Sequence, residues 1–74
     1  LIVTVTMEDI KQRVGQKIRE ARKAKGLTQK ELADKISLSV GTVNQYEVGK
    51  QNLTIETIQK VANALGVSFD IILS

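Results

Sequence analysis

The chain has 74 residues, no Cys, His or Pro, a formal net charge of +3 and a pI of about 9.5. That length holds one small domain, and the composition leaves out disulfides, thiolate or imidazole metal sites and His- or Cys-based catalysis. Eight Asp and Glu at capping and surface positions make no catalytic constellation, and no apolar run approaches a membrane span of ~20 residues. A cytoplasmic, non-enzymatic protein without cofactor or metal is therefore expected. Residues 1–7, LIVTVTM, alternate Leu1, Val3, Val5 and Met7 with Thr4 and Thr6 and are rich in β-branched side chains, which favours a short strand. A lone strand leaves its backbone groups unpaired. Residues 1–7 are accordingly expected to form an N-terminal strand or arm that contacts a second copy, and residues 8–74 the domain itself.

Thr6 followed by Glu8 and Asp9 reads as the start of a first helix, with acids in its first turn. Ile10, Val14, Ile18 and Ala21 give it one apolar stripe, and Gly26 ends it. Gly15 inside that helix costs about 1 kcal/mol relative to Ala, which points to close packing there. Thr28 caps a second helix, with Glu31 completing a capping box and Leu32, Ala33 and Ile36 on its inner face. After a tight turn at Leu38, Ser39 caps a third helix over Val40 to Glu47, and Gly49 is placed to stop it. Val43 and Tyr46 face inward, whereas Gly41, Asn44 and Gln45 on the other side are poor core material. Two short helices across a tight turn, the second showing amides outward, have the design of a helix-turn-helix.

Thr54 caps a fourth helix in which Leu53 and Ile58 can form a hydrophobic staple and Ile55, Ile58, Val61, Ala62 and Leu65 make the inner stripe. Gly66 ends it. For the segment that follows, two readings stand: a short fifth helix capped by Ser68, or a strand from the alternation of Val67, Phe69, Ile71 and Leu73. The helix is the one expected. The charge is unevenly spread. Residues 11–35 hold nine Lys and Arg against Glu20, Glu31 and Asp34, a net of +6, while residues 1–10 carry −2 and residues 36–74 carry −1. The plain reading of such a run is a solvated helix face, but here it leads directly into the helix-turn-helix, which suits a nucleic-acid partner.

From Gly15 to Leu73 the sequence resembles the Cro/C1-type helix-turn-helix family, the DNA-binding domain of phage repressors and many bacterial regulators. The matching pieces are Gly15 to Arg19 with Arg22, Gly26 to Ala33, Val43 and Tyr46-Glu47 with Gly49-Lys50, and Val61 to Ser68. The resemblance implies an all-α, compact five-helix bundle whose helix 3 enters the major groove. It also implies a homodimer on a palindromic operator in double-stranded DNA, acting at the nucleoid as a transcriptional regulator of repressor type. By the same resemblance Val40, Gly41, Asn44 and Gln45 would meet the bases. Lys17, Gln29, Ser39, Thr42, Lys50 and Asn52 would meet phosphates, and Arg22 and Glu47 would form a structural ion pair between helices 1 and 3. Tyr46 reads as core-edge packing rather than a stacking platform. Two departures stand out: Ser37 occupies a turn position where many relatives have Gly, and Val40 and Gly41 stand where many have a long polar side chain.

An alternative from another class is a protein-interaction module on the same fold, such as an antitoxin holding a toxin or another effector protein. Its surfaces would be the apolar ends, LIVTV and FDIIL. Phosphate contacts release counterions and apolar protein contacts do not, so salt dependence separates the two.

Overall fold

Every helix begins on a hydroxyl. In the computed structural model, which describes residues 6–68, 70 and 72, the helices are α1 (Met7–Ala24), α2 (Gln29–Lys35), α3 (Val40–Glu47) and α4 (Ile55–Leu65). Thr6, Thr28, Ser39 and Thr54 each accept the backbone N–H three residues on, all at 3.1 Å. Caps of this kind are each worth about 1 kcal/mol. At α1 and α2 the acid at the third position answers the cap: Thr6 N–H donates to Asp9, and Thr28 N–H donates to Glu31 at 2.9 Å. The Thr28 backbone and hydroxyl hold the Glu31 carboxyl below its ordinary pKa. That brace is present above the carboxyl's unfolded pKa and is lost as pH falls through its lowered folded value.

The helices also share one ending. Residues 26, 37, 49 and 66 all take positive φ, and the following N–H turns back onto a carbonyl five residues upstream, at 2.9–3.1 Å in each case. Three of these positions are Gly; the fourth is Ser37, with φ 58°. These are Schellman stops, and they close off carbonyls that the helix ends would otherwise leave open.

Between these punctuation marks the apolar residues meet in one core. Val14 and Ile18 from α1, Leu32 and Ala33 from α2 with its C-cap Ile36, Val43 from α3, and Ile58, Val61, Ala62 and Leu65 from α4 are buried together with Ile72. α3 packs on both α1 and α2, and α4 closes the other side against α2 and α1. Gly15 sits where α1 crosses α3: a Cβ there would run into the Tyr46 carbonyl oxygen and lie 2.7 Å from that of Glu47. The close packing expected of Gly15 is therefore backbone against backbone. Gly49 meets α1 in the same way, its missing Cβ standing 2.9 Å from the Gln12 Cα.

Several expectations need correction. The described residues form a four-helix bundle, not a five-helix one, and no strand occurs among them. Gly66 ends α4; beyond it Asp70 and Ile72 have helical backbone and Ile72 is fully buried in the core, but among the described residues they add no fifth helix to the four of the bundle. The N-terminal strand or arm falls mainly on residues 1–5, and the strand alternative at the C-terminal end on residues 69, 71 and 73, all outside the described residues. Ile10 and Ile55, assigned above to inner stripes, are 42% and 74% exposed. The buried residues of α1 are Val14, Gly15, Ile18 and Arg22, so Ile10 lies one turn ahead of the stretch that the other helices cover. Ile55 opens α4 at the rim of the bundle. With Met7, 65% exposed, Ile10 borders a groove of about 110 Å³ whose walls also include Val14, Leu53, Ile58 and Asn52. Leu53 and Ile58 share that wall, as the expected staple requires.

Candidate nucleic-acid interface

α3 owes little to its own sequence. Val, Gly, Thr and Asn are weak helix formers, and eight residues are too few for a stable isolated helix. Its existence depends on what grips its inner face. Val43 and Tyr46 are buried there, 1% and 8% exposed, so Tyr46 is a packing residue as expected. Beside them Glu47 receives a bidentate ion pair from α1: Arg22 Nε donates to Oε2 at 2.6 Å and Nη2 to Oε1 at 3.0 Å. The remaining Arg22 nitrogen, Nη1, reaches the Leu27 carbonyl at 2.7 Å. Both side chains are buried, and no buried polar side-chain atom lacks a partner among the described residues. The hydrogen bond to Glu47 raises the Arg22 pKa above its already high ordinary value, against the opposing effect of burial.

A third residue completes this network. Gln29, the first residue of α2, donates from Nε2 to Glu47 Oε1 at 3.1 Å. One carboxylate thus ties α1, α2 and α3 together. The expected phosphate role of Gln29 must share its amide with this internal bond. Nothing in the sequence links positions 29 and 47: they are eighteen residues apart, and no helical or strand spacing connects them.

The outer face of α3 is different in kind. Val40 is 48% exposed, Gly41, Asn44 and Gln45 are exposed, and neither amide makes a side-chain hydrogen bond among the described residues. Val40 and Asn44 form one i, i+4 row, Gly41 and Gln45 the next. A Cβ on Gly41 would meet nothing nearer than the Ser39 hydroxyl at 3.9 Å. The four expected base-facing residues therefore share one open surface.

The expected phosphate residues are more scattered. Ser39 and Thr42 stand together at the start of α3, hydroxyl to hydroxyl at 2.8 Å, so both also serve the cap. Lys50 is exposed just beyond the end of α3, and Lys17 lies half-buried on α1. Asn52 is exposed but sits at the rim of the apolar groove rather than with the others. Of the basic block, Lys11 pairs with Glu8 at 3.3 Å and Lys30 with Asp34 at 3.2 Å, both at the surface. Such pairs are worth well under about 1 kcal/mol. Arg13, Lys17, Arg19, Lys23, Lys25 and Lys35 make no ion pair among the described residues, which leaves their charge free for a polyanion. No helix among the described residues is long and apolar enough to cross a membrane.

The helix-turn-helix family model matches residues 18–72, and the chain belongs to this family of Cro/C1-type regulators. Among its relatives is the SPbeta prophage-derived HTH-type transcriptional regulator YonR of Bacillus subtilis, 34% identical over 59 residues, or 80% of this chain and 55% of that protein. Multiprotein-bridging factor 1 of Candida albicans is 39% identical over 66 residues, covering 89% of this chain and 42% of its own length. This chain thus spans about half the length of these relatives or less. Among solved structures, the restriction-modification controller protein C.AhdI of Aeromonas hydrophila superposes with a TM-score of 0.79. It is 36% identical, over 82% of this chain and 92% of that one.

Proposed function

We propose that the chain binds double-stranded DNA in a sequence-specific way as a transcriptional regulator of repressor type. The observation that carries this is the divided α3, gripped on one face and wholly open on the other, where Val40, Gly41, Asn44 and Gln45 have no internal partner among the described residues. In this reading that open face lies in the major groove. Lys17, Gln29, Ser39, Thr42, Lys50 and Asn52 hold phosphates and fix the register. Gln29 does so from the N-terminus of α2, where the helix dipole adds its own attraction. The acting form is a homodimer on a palindromic operator, working in the cytoplasm at the nucleoid, with the arm of residues 1–7 shortened to residues 1–5 in the dimer contact, because Thr6 and Met7 belong to the start of α1. A chain beginning at Thr6, which keeps the cap of α1, then sediments as a weaker dimer than the full sequence; equal dimer affinity removes the arm from the interface.

Selection of bound sites from random duplex DNA tests the main reading. A palindromic motif should emerge, with affinity falling roughly a thousandfold or more between low and moderate salt as counterions are released. No enrichment, with binding indifferent to salt, would sink it.

A second reading, a module that holds a partner protein, draws on two observations. One relative is named a multiprotein-bridging factor, and Met7 and Ile10 expose apolar surface at the groove walled also by Leu53 and Ile58. Of the two ends expected to serve that role, LIVTV lies outside the described residues, and in FDIIL Ile72 is committed to the core. An antitoxin-like or effector-binding role would leave binding of the partner intact at high salt.

A further inference from the structure

We infer that the half-site read by α3 is built on A·T base pairs, with Val40 on a thymine methyl and Asn44 and Gln45 on adenine. The inference rests on the DNA-binding reading above and names the class of sequence it would take. Between Lys35 and Lys50 the chain has no Arg or Lys at all, from Ile36 through Gly49. The cations border the recognition unit and none stands on it. Guanine presents two acceptors, O6 and N7, to the major groove, and the side chains that take both are Arg and Lys. α3 has no such donor. Its exposed polar groups are carboxamides, each one donor and one acceptor side by side, which match the N6 donor and N7 acceptor of adenine.

The apolar part of the face agrees. Val40 is 48% exposed at the N-terminal end of α3, the end that enters the groove in this fold class. The C5-methyl of thymine is the one apolar group on the major-groove floor. Gly41 beside it leaves open space, with nothing inside 3.9 Å of where a Cβ would stand. The helix backbone can therefore come close enough for a short side chain such as Val40 to reach. Val40 and Asn44 are one turn apart, about 6 Å along the axis. That is the rise of roughly two base-pair steps, so methyl and adenine belong to pairs about two steps apart in the same half-site. Neither amide is held by an internal hydrogen bond among the described residues, so neither has to break one to pair with a base.

The test uses three duplex pools, randomised at the central positions over A and T only, over G and C only, or over all four bases. The A/T pool should yield sites bound about 5- to 150-fold tighter than the best of the G/C pool, the span of one bidentate pair. Within the selected site, deoxyuridine for thymidine removes the methyl, and 7-deazaadenine for adenine removes N7; both changes touch only the major groove. Each should weaken the wild-type chain several-fold, the first losing its effect in Val40→Ala and the second in the Asn44→Ala, Gln45→Ala pair. Enrichment from the G/C pool at equal affinity, or from the four-base pool alone, overturns the inference while leaving DNA binding in place. Indifference to both base analogues overturns the assignment to these residues, since an A·T preference would then come from duplex shape. If no pool enriches, the DNA-binding reading fails and this inference goes with it.

Discussion

The two faces of α3 are made of the same eight residues, yet they are built by opposite rules. On the inner face each group is committed: Val43 and Tyr46 to the core, Glu47 to Arg22 and Gln29, and the last carbonyls to the contact with Gly15. On the outer face neither amide has an internal partner among the described residues. Because α3 has weak propensity and little length, its order comes from the inner face. The outer face is thereby relieved of any role in folding and is open to recognition. A change inside should cost stability first, and a change outside should cost binding first.

The strongest way to break that contrast is at Arg22 and Glu47. Removing either alone, as in Arg22→Ala or Glu47→Ala, leaves a buried charge without its partner and should cost about 3–5 kcal/mol in urea denaturation. Replacing both by apolar residues of similar volume should cost far less, because the desolvation penalty disappears with the charges. A double-mutant cycle with no coupling energy would show that the 2.6 Å contact contributes nothing.

Gly15 sharpens the comparison because the same substitution can be made on both sides. Gly→Ala in an unconstrained helix gains up to about 1 kcal/mol. At Gly15 the new methyl meets two carbonyls of the α3 backbone, which cannot swing aside as a side chain would. A net loss of about 1–3 kcal/mol is expected there, as for overpacking elsewhere. Gly41→Ala, with open space around it, should hold or raise the melting temperature. Equal effects at the two positions would mean that α1 and α3 are not in backbone contact.

On the outer face, Gln45→Ala should leave the urea midpoint nearly unchanged and weaken specific binding by roughly 1–3 kcal/mol. Unchanged discrimination between a selected operator and scrambled duplex would remove Gln45 from the readout, and with it this register of α3.

What can be read from the sequence follows the range of the interactions. The caps and the glycine stops are legible because each is closed within about five residues, Thr28 with Glu31 being the plainest. Burial is less so. Ile10 and Ile55 obey their helices' periodicity, but a period tells which face a residue is on, not where the neighbouring helix stops. The segment after Gly66 is too short for any period to decide, and its main contribution among the described residues, the burial of Ile72, is tertiary. At the interface, Asn44 and Gln45 are visible as amides on the side away from Val43. The Arg22–Glu47 pair comes through family resemblance alone, and the Gln29 bond to Glu47 escapes altogether, since it joins residues that no local rule connects. The pairing of Gly15 with the α3 carbonyls is half legible: a glycine inside a helix asks for a close neighbour without naming it.

Ser37 gives the smallest effect and the finest probe, because it lies in the turn between α2 and α3. It ends α2 with φ 58°, in the conformation that Gly26, Gly49 and Gly66 supply for the other three helices. For a residue with a Cβ the left-handed conformation costs about 1–2 kcal/mol, while glycine loses about 0.5–1 kcal/mol more than alanine in unfolded-state freedom. Ser37→Gly should therefore stabilise the fold by about 0.5–1 kcal/mol, a rise of a few degrees in melting temperature for a domain of this size. Ser37→Ala should bring no such gain, since alanine keeps the Cβ. Ser37 is exposed and its hydroxyl makes no hydrogen bond among the described residues, so little is lost with it. The informative measurement is operator discrimination in the same variant. If it is unchanged while the melting temperature rises, the turn only joins the two helices. If the stabilised variant discriminates less well, the strained serine sets the angle at which α3 is presented, and the separation between a folding face and a reading face does not hold at the turn.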